Sequence, residues 1–200
     1  MYRYDVMARI AEEKAIAIVR EGSAEKGRRV VSVLADAGIS VLEVTCTTPG
    51  AFDLVDSARD GTALLGMGTV VSASDAVTAA HAGARFIVTP NVDSDVIRAA
   101  HRHGLAALVG CATPTEILTA LASGADAIKV FPAAQLGMGF LAAIHGPVPW
   151  APLIPVGGVD VDNARAWLDA GAIAVGLGSH LTSGDDAAIA ERVVRLKSLI

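Results

Sequence analysis

Hydrophobic and polar positions alternate along this chain in two rhythms. Short apolar runs of three to five residues are separated by longer Ala-rich stretches in which apolar residues recur at helical spacing. The runs fall at residues 15–19, 41–44, 63–67, 86–88, 106–109, 127–131, 153–156 and 173–177. The intervening stretches close on Gly38, Gly61, Gly83, Gly104, Gly124, Gly146 and Gly171, spaced 20 to 25 residues apart. Glycine there fits the left-handed position that ends a helix. Each run therefore reads as a strand, and each stretch as a helix of about ten to fourteen residues. Eight apolar strands in strict alternation with helices predict a parallel sheet covered on both faces. The even repeat favours a single (βα)8 TIM barrel spanning residues 1–200. A doubly wound open sheet is the alternative, but Arg20-Glu21-Gly22-Ser23 after the first run lacks the Gly-rich fingerprint such a fold usually carries there.

Composition narrows the class. At 52% hydrophobic and 18% charged the chain can bury a large core, and with 4% aromatics that core must be aliphatic. A net charge of −5, with no basic cluster longer than Arg28-Arg29, gives no nucleic-acid footprint. No apolar run approaches the roughly 18 residues of a membrane span. The N-terminus lacks the apolar stretch of a signal peptide. Cys46 and Cys111 are too few and too far apart for a disulfide framework or a zinc site. A cytoplasmic enzyme or binding protein is expected, with no nucleic-acid or membrane partner.

Two charges stand where the pattern calls for apolar residues. Lys129 lies in Ala127-Ile128-Lys129-Val130-Phe131-Pro132 and Glu43 in Val41-Leu42-Glu43-Val44-Thr45. Loss of hydration among Ile, Val and Phe favours the neutral amine that Schiff-base chemistry with a carbonyl requires. Side chains alternate across a strand, so both residues can point into the barrel if their apolar flanks face the helices. There they form a proton-transfer pair; a buried salt bridge that merely fixes the core is the alternative. In a barrel of this kind reactive groups gather at the C-terminal strand ends. Those ends hold Arg20, Gly68-Thr69, Thr89-Pro90-Asn91, Gly157-Gly158 and Gly178-Ser179-His180. The glycine pairs after the seventh and eighth strands occupy the usual phosphate position of the fold. His81, His101, His103 and His145 fall on helices away from the mouth, so no metal site is expected, and His180 reads as a surface residue.

Laid out in order, Glu43 in Leu-Glu-Val-Thr, Gly68-Thr69-Val70, Thr113-Pro114-Thr115-Glu116, Lys129-Val130-Phe131-Pro132-Ala133, Val156-Gly157-Gly158-Val159 and Gly176-Leu177-Gly178-Ser179 resemble the class I 2-keto-3-deoxy-6-phosphogluconate (KDPG) aldolase family. That family includes the KDPG/4-hydroxy-2-oxoglutarate (KHG) aldolases and the 2-keto-3-deoxy-6-phosphogalactonate aldolases. The resemblance implies a homotrimer without metal or organic cofactor, acting on a small 2-keto-3-deoxy sugar acid phosphate. It makes Lys129 the Schiff-base lysine and Glu43 the general acid/base. Arg20, Thr69, Pro90 and Phe131 become substrate-binding residues, and Gly157, Gly158, Gly178 and Ser179 the phosphate cradle. It implies cleavage of the gluconate substrate to pyruvate and glyceraldehyde 3-phosphate, with 4-hydroxy-2-oxoglutarate as a further substrate.

Three positions depart from the gluconate-type pattern. Thr47 replaces an arginine of some bacterial members, which shifts carboxylate binding toward Arg20. Val109 stands where many members have proline. Val156 replaces a threonine and, with Thr89-Pro90-Asn91, is similar to galactonate-type members, so the galactonate substrate is the alternative. A phosphosugar isomerase or synthase on the same barrel would not require an amine in the sixth strand, and a barrel that only binds phosphate would require neither Lys129 nor Glu43.

Overall fold

A computed structural model describes all residues 1–200. The chain forms eight strands: β1 (Ala15–Val19), β2 (Val41–Thr45), β3 (Leu64–Gly68), β4 (Phe86–Val88), β5 (Ala106–Cys111), β6 (Ala127–Val130), β7 (Leu153–Pro155) and β8 (Val175–Leu177). All neighbouring pairs are parallel, in the order β7-β6-β5-β4-β3-β2-β1-β8. This is the expected (βα)8 barrel. Its last seam is thin: β7 and β8 meet through one isolated bridge, Val156 to Gly176, and a hydrogen bond from Ile173 N–H to the Leu153 carbonyl (3.0 Å).

Every strand residue is buried, because the two faces of each strand pack against different partners. One face joins a large aliphatic core beneath the helices, as with Ala17, Leu42, Met67, Ile87 and Ile128. The alternate positions Ile16, Ile18, Val41, Leu64, Phe86, Leu108, Ala127 and Ile154 fill the barrel interior. By the same alternation Glu43, two residues beyond Val41, and Lys129, two beyond Ala127, point inward above that plug.

The helices between the strands are α2 (Ala24–Asp36), α3 (Ala51–Ala58), α4 (Ala73–His81), α5 (Ser94–Arg102), α6 (Pro114–Ala122) and α9 (Ala164–Asp169). Side-chain caps start most of them, among them Ser23, Ser72 and Asp93, and Thr113 with Glu116 completes a capping box. Most are shorter than the spacing implied. After β6 a single helix was expected; two short ones form, α7 (Ala133–Leu136) and α8 (Gly139–His145), broken at Gly137 (φ 76°). After β8 come α10 (Ser179–Thr182) and α11 (Asp186–Leu199). Gly38, Gly83, Gly104, Gly124 and Gly171 adopt the expected positive φ. Gly61 and Gly146 do not: α3 has already ended at Ala58, and Gly146 keeps a helical φ of −54°.

An unforeseen helix, α1 (Arg3–Glu13), precedes the first strand and closes the N-terminal end of the barrel with Val6 and Ile10. Asp126, just before β6, ties it down. Its carboxylate accepts from Arg3 (3.0 Å), from the Ala107 N–H (2.9 Å), and pairs with His101 Nε2 (2.9 Å). With that end plugged and tied, the open end is the C-terminal one. No helix is long and apolar enough to cross a membrane.

Candidate active site

A cavity of about 520 Å³ opens at the C-terminal end of the strands. Ten residues singled out from the sequence line it: Arg20, Glu43, Thr69, Pro90, Lys129, Phe131, Gly157, Gly158, Gly178 and Ser179. The fold thus gathers side chains from strands far apart in the chain. Ile18, Val156, Val159 and His180 complete the wall. His180 is exposed, as expected, yet it stands on the cavity rim beside Ser179.

Lys129 is 8% exposed, and its Nζ lies 5.1 Å from the centroid of the Phe131 ring. The amine makes no hydrogen bond within the protein and no ion pair within 4.0 Å. Across the barrel Glu43 is 2% exposed and seated over Gly68, where any side chain would overlap its carboxylate. Burial pushes the Glu43 carboxyl above its usual range; the charges of Lys129 and Arg20 act in the opposite sense and do not cancel the effect. A direct core salt bridge between Glu43 and Lys129 is therefore not what the structure contains. The two groups line one cavity without an ion pair between them.

Arg20 follows β1 and reaches across the cavity rim. Its Nη1 donates to Thr47 Oγ1 (2.8 Å) and its Nη2 to Thr69 Oγ1 (3.1 Å). Thr69 has φ 58°, a left-handed backbone that a β-branched residue rarely adopts. Pro90 follows β4 and packs against β5 through Gly110, where a Cβ would stand 2.5 Å from the Pro90 carbonyl.

The opposite wall is backbone. Gly157 and Gly158 have φ of 92° and 80°, a left-handed backbone that disfavours side chains. A Cβ on Gly157 would sit 3.1 Å from the Phe131 ring, and one on Gly158 would collide with Ala134. The N–H groups of Gly157, Gly158 and Gly178 have no acceptor within the protein. Asn163 holds the loop in place: its Nδ2 donates to the Gly158 carbonyl (3.0 Å), while Asp160 N–H donates to Asn163 Oδ1 (3.1 Å). Unengaged donors on a fixed loop suit a polyvalent anion.

No group of three or more His, Cys, Asp or Glu side chains is placed to hold a metal ion. Cys46 and Cys111 lie outside the cavity wall; burial pushes their thiols up to about 11 and about 12. Sequence reading noted Thr47 only as the replacement of an arginine; it missed the hydrogen-bonded run that Thr47 makes with Thr45 and Thr48 behind Arg20.

The comparison with known proteins agrees with this geometry. Residues 6–196 match the aldolase family described as KDPG and KHG aldolase. The 2-dehydro-3-deoxy-6-phosphogalactonate aldolase of Escherichia coli (strain K12) is 36% identical over 170 residues, 83% of each chain. The 2-dehydro-3-deoxy-phosphogluconate aldolase of Pseudoalteromonas atlantica is 31% identical over 159 residues, covering 78% of this chain and 74% of that one. A solved structure described as native KDPGal superposes with a TM-score of 0.86 at 33% identity, over 92% of this chain and 93% of the other. The barrel, its cavity and these likenesses converge: this chain belongs to the KDPG/KHG aldolase family and is a carbon–carbon lyase.

Proposed function

We propose that the protein is a Schiff-base aldolase that cleaves 2-keto-3-deoxy-6-phosphogluconate to pyruvate and glyceraldehyde 3-phosphate. The observation that carries this reading is a nearly buried amine without an ion-pair partner, facing a buried carboxyl across one cavity. In its neutral form the Lys129 amine attacks the C2 ketone, and Glu43 moves the protons that expel water from the carbinolamine. The resulting iminium accepts the electron pair released when the C4 hydroxyl loses its proton and the C3–C4 bond breaks. Glyceraldehyde 3-phosphate leaves; the enamine is protonated at C3, and water releases pyruvate from Lys129. Arg20 and Thr69 hold the carboxylate, and positioning of this kind supplies part of the rate. The backbone donors of Gly157, Gly158 and Gly178, with the Ser179 hydroxyl, hold the phosphate. Arg20 gives this cavity a permanent positive charge within a chain of net charge −5, which favours an anionic substrate. A homotrimer of such barrels is part of the same reading, and 4-hydroxy-2-oxoglutarate is a further substrate.

A second reading concerns the C4 epimer. Val156 lines the cavity and is 8% exposed, and an isopropyl group cannot hydrogen-bond a C4 hydroxyl. The identity to the galactonate aldolase, 36% against 31% for the gluconate enzyme, favours 2-keto-3-deoxy-6-phosphogalactonate as an equal or better substrate.

Borohydride reduction with pyruvate tests the chemistry. One pyruvyl group should be fixed to Lys129, located by peptide mass, and Lys129→Ala should abolish cleavage. Modification of Lys14, Lys26 or Lys197 instead would sink the assignment. Assays of both epimers and of hydroxyoxoglutarate then rank the substrates. Phosphorylated substrates should show much the higher kcat/KM, because a remote group's binding energy can orient the reacting centre. Ser179→Ala should shrink that advantage and leave unphosphorylated turnover intact.

A further inference from the structure

The guanidinium of Arg20 is tied to more than its two immediate partners. Behind Thr47, its Oγ1 lies 3.0 Å from Thr45 Oγ1, which lies 3.3 Å from Thr48 Oγ1. Thr48 Oγ1 accepts from the Glu21 N–H (3.1 Å) and stands 3.5 Å from the Val19 carbonyl oxygen. A carbonyl only accepts and a guanidinium only donates, so the direction of every bond follows. The Thr48 proton points to Val19. Thr45 then donates to Thr48, Thr47 donates to Thr45, and a Thr47 lone pair is left for Arg20. The chain of hydroxyls runs one way, from the guanidinium back to the end of the strand that carries it. Thr45 (0% exposed) and Thr48 (1%) are buried, so the inner links cannot swing into solvent.

We propose that Thr47, backed by Thr45 and Thr48, is a positioning residue that pre-orders Arg20 for the carboxylate of the 2-keto acid. The inference rests on the Schiff-base reading above and adds to it a residue for the keto-acid half. A free arginine side chain samples many rotamers, a freedom most of which must be given up to bind a carboxylate. Two hydroxyl acceptors on the guanidinium reduce that freedom before substrate arrives. Arg20 has five donors, so three remain for the ligand. Thr47 has no charge of its own to offer, and its effect must act through Arg20. The phosphate wall lies on the loops after β7 and β8, so the effect should be confined to the keto-acid half.

The exchange of pyruvate methyl protons in deuterated water isolates that half, because no aldehyde or phosphate is involved. Thr47→Val keeps the shape and removes the hydroxyl; Thr47→Ser keeps the hydroxyl. The valine variant should raise the pyruvate concentration for half-maximal exchange about tenfold, the equilibrium factor of ~1.4 kcal/mol, and leave the maximal rate near wild type. The serine variant should restore the wild-type value. In an Arg20→Ala background the valine change should add nothing, since the residue it positions is gone. An unchanged half-saturation in Thr47→Val overturns the proposal, and so does an equal rise in the Arg20→Ala background. Wild-type protein that neither exchanges pyruvate nor traps it on Lys129 overturns the functional reading itself, and the role of Thr47 with it.

Discussion

Burial holds the Glu43 carboxyl above its ordinary value of 4.5, against the pull of Lys129 and Arg20, and this has consequences for both activity and stability. A carboxyl that stays protonated at higher pH can donate to the departing hydroxyl of a carbinolamine and then recover the proton. Glu43→Gln keeps the shape and loses the proton, so turnover should fall by about 10² to 10⁴. The stability effect runs the other way. Because Glu43 titrates higher in the fold than in the unfolded chain, folding favours its protonated form. Its contribution is complete below the unfolded value and is lost as pH rises through the folded one. Glutamine never ionises, so the variant should gain on wild type as pH increases. Melting curves at pH 5 and pH 8 check this: Glu43→Gln should melt higher at pH 8, by ~2–4 °C per kcal/mol for a chain of this size, with a smaller difference at pH 5. Equal differences at both values would mean that burial does not oppose ionisation there.

Among the elements, α1 is tied to the barrel through a shared acceptor, Asp126. Arg3, His101 and the Ala107 N–H all converge on Asp126, which links the helix to α5, β5 and the start of β6. Asp126→Ala leaves a backbone donor and two cationic or polar side chains without their acceptor. A loss of about 1–3 kcal/mol is expected, read as a lower midpoint in urea. Turnover per folded molecule should hold, because the cavity is at the far end of the barrel. The strands were legible in the sequence because a parallel strand covered on both faces must be an unbroken apolar run. Helix lengths were less legible: Gly61 and Gly146 look like helix ends, but α3 stops at Ala58 and Gly146 never turns left-handed. The helix α1 escaped notice because its only sign is Val6 and Ile10, four residues apart, ahead of the repeat. Lys129 and Glu43 stood out because charge inside an apolar run is an anomaly visible in one dimension. The bonds that join Thr45, Thr47 and Thr48 did not, since Thr47 read only as a replaced arginine and hydroxyls at a strand end look like any other until Arg20 is brought against them.

For the molecule as a whole, the division of the cavity matters most. Charged side chains from β1, β2 and β6 form one wall, and bare backbone after β7 and β8 forms the other. The second wall spans the weakest join in the barrel, where β7 and β8 share a single bridge. A cask with one loose stave is held by whatever hoop crosses the gap. Gly157 and Gly158 leave one stave and Gly178 and Ser179 leave the next, so a phosphate gripped by both loops would be that hoop. Amide hydrogen exchange with and without inorganic phosphate, at matched ionic strength, reads this directly. Protection should rise in β7 and β8 and hardly change in β3 and β4; a uniform rise would signal only the general stabilisation any bound ligand confers. On this account the substrate completes the wall of the vessel in which it is broken.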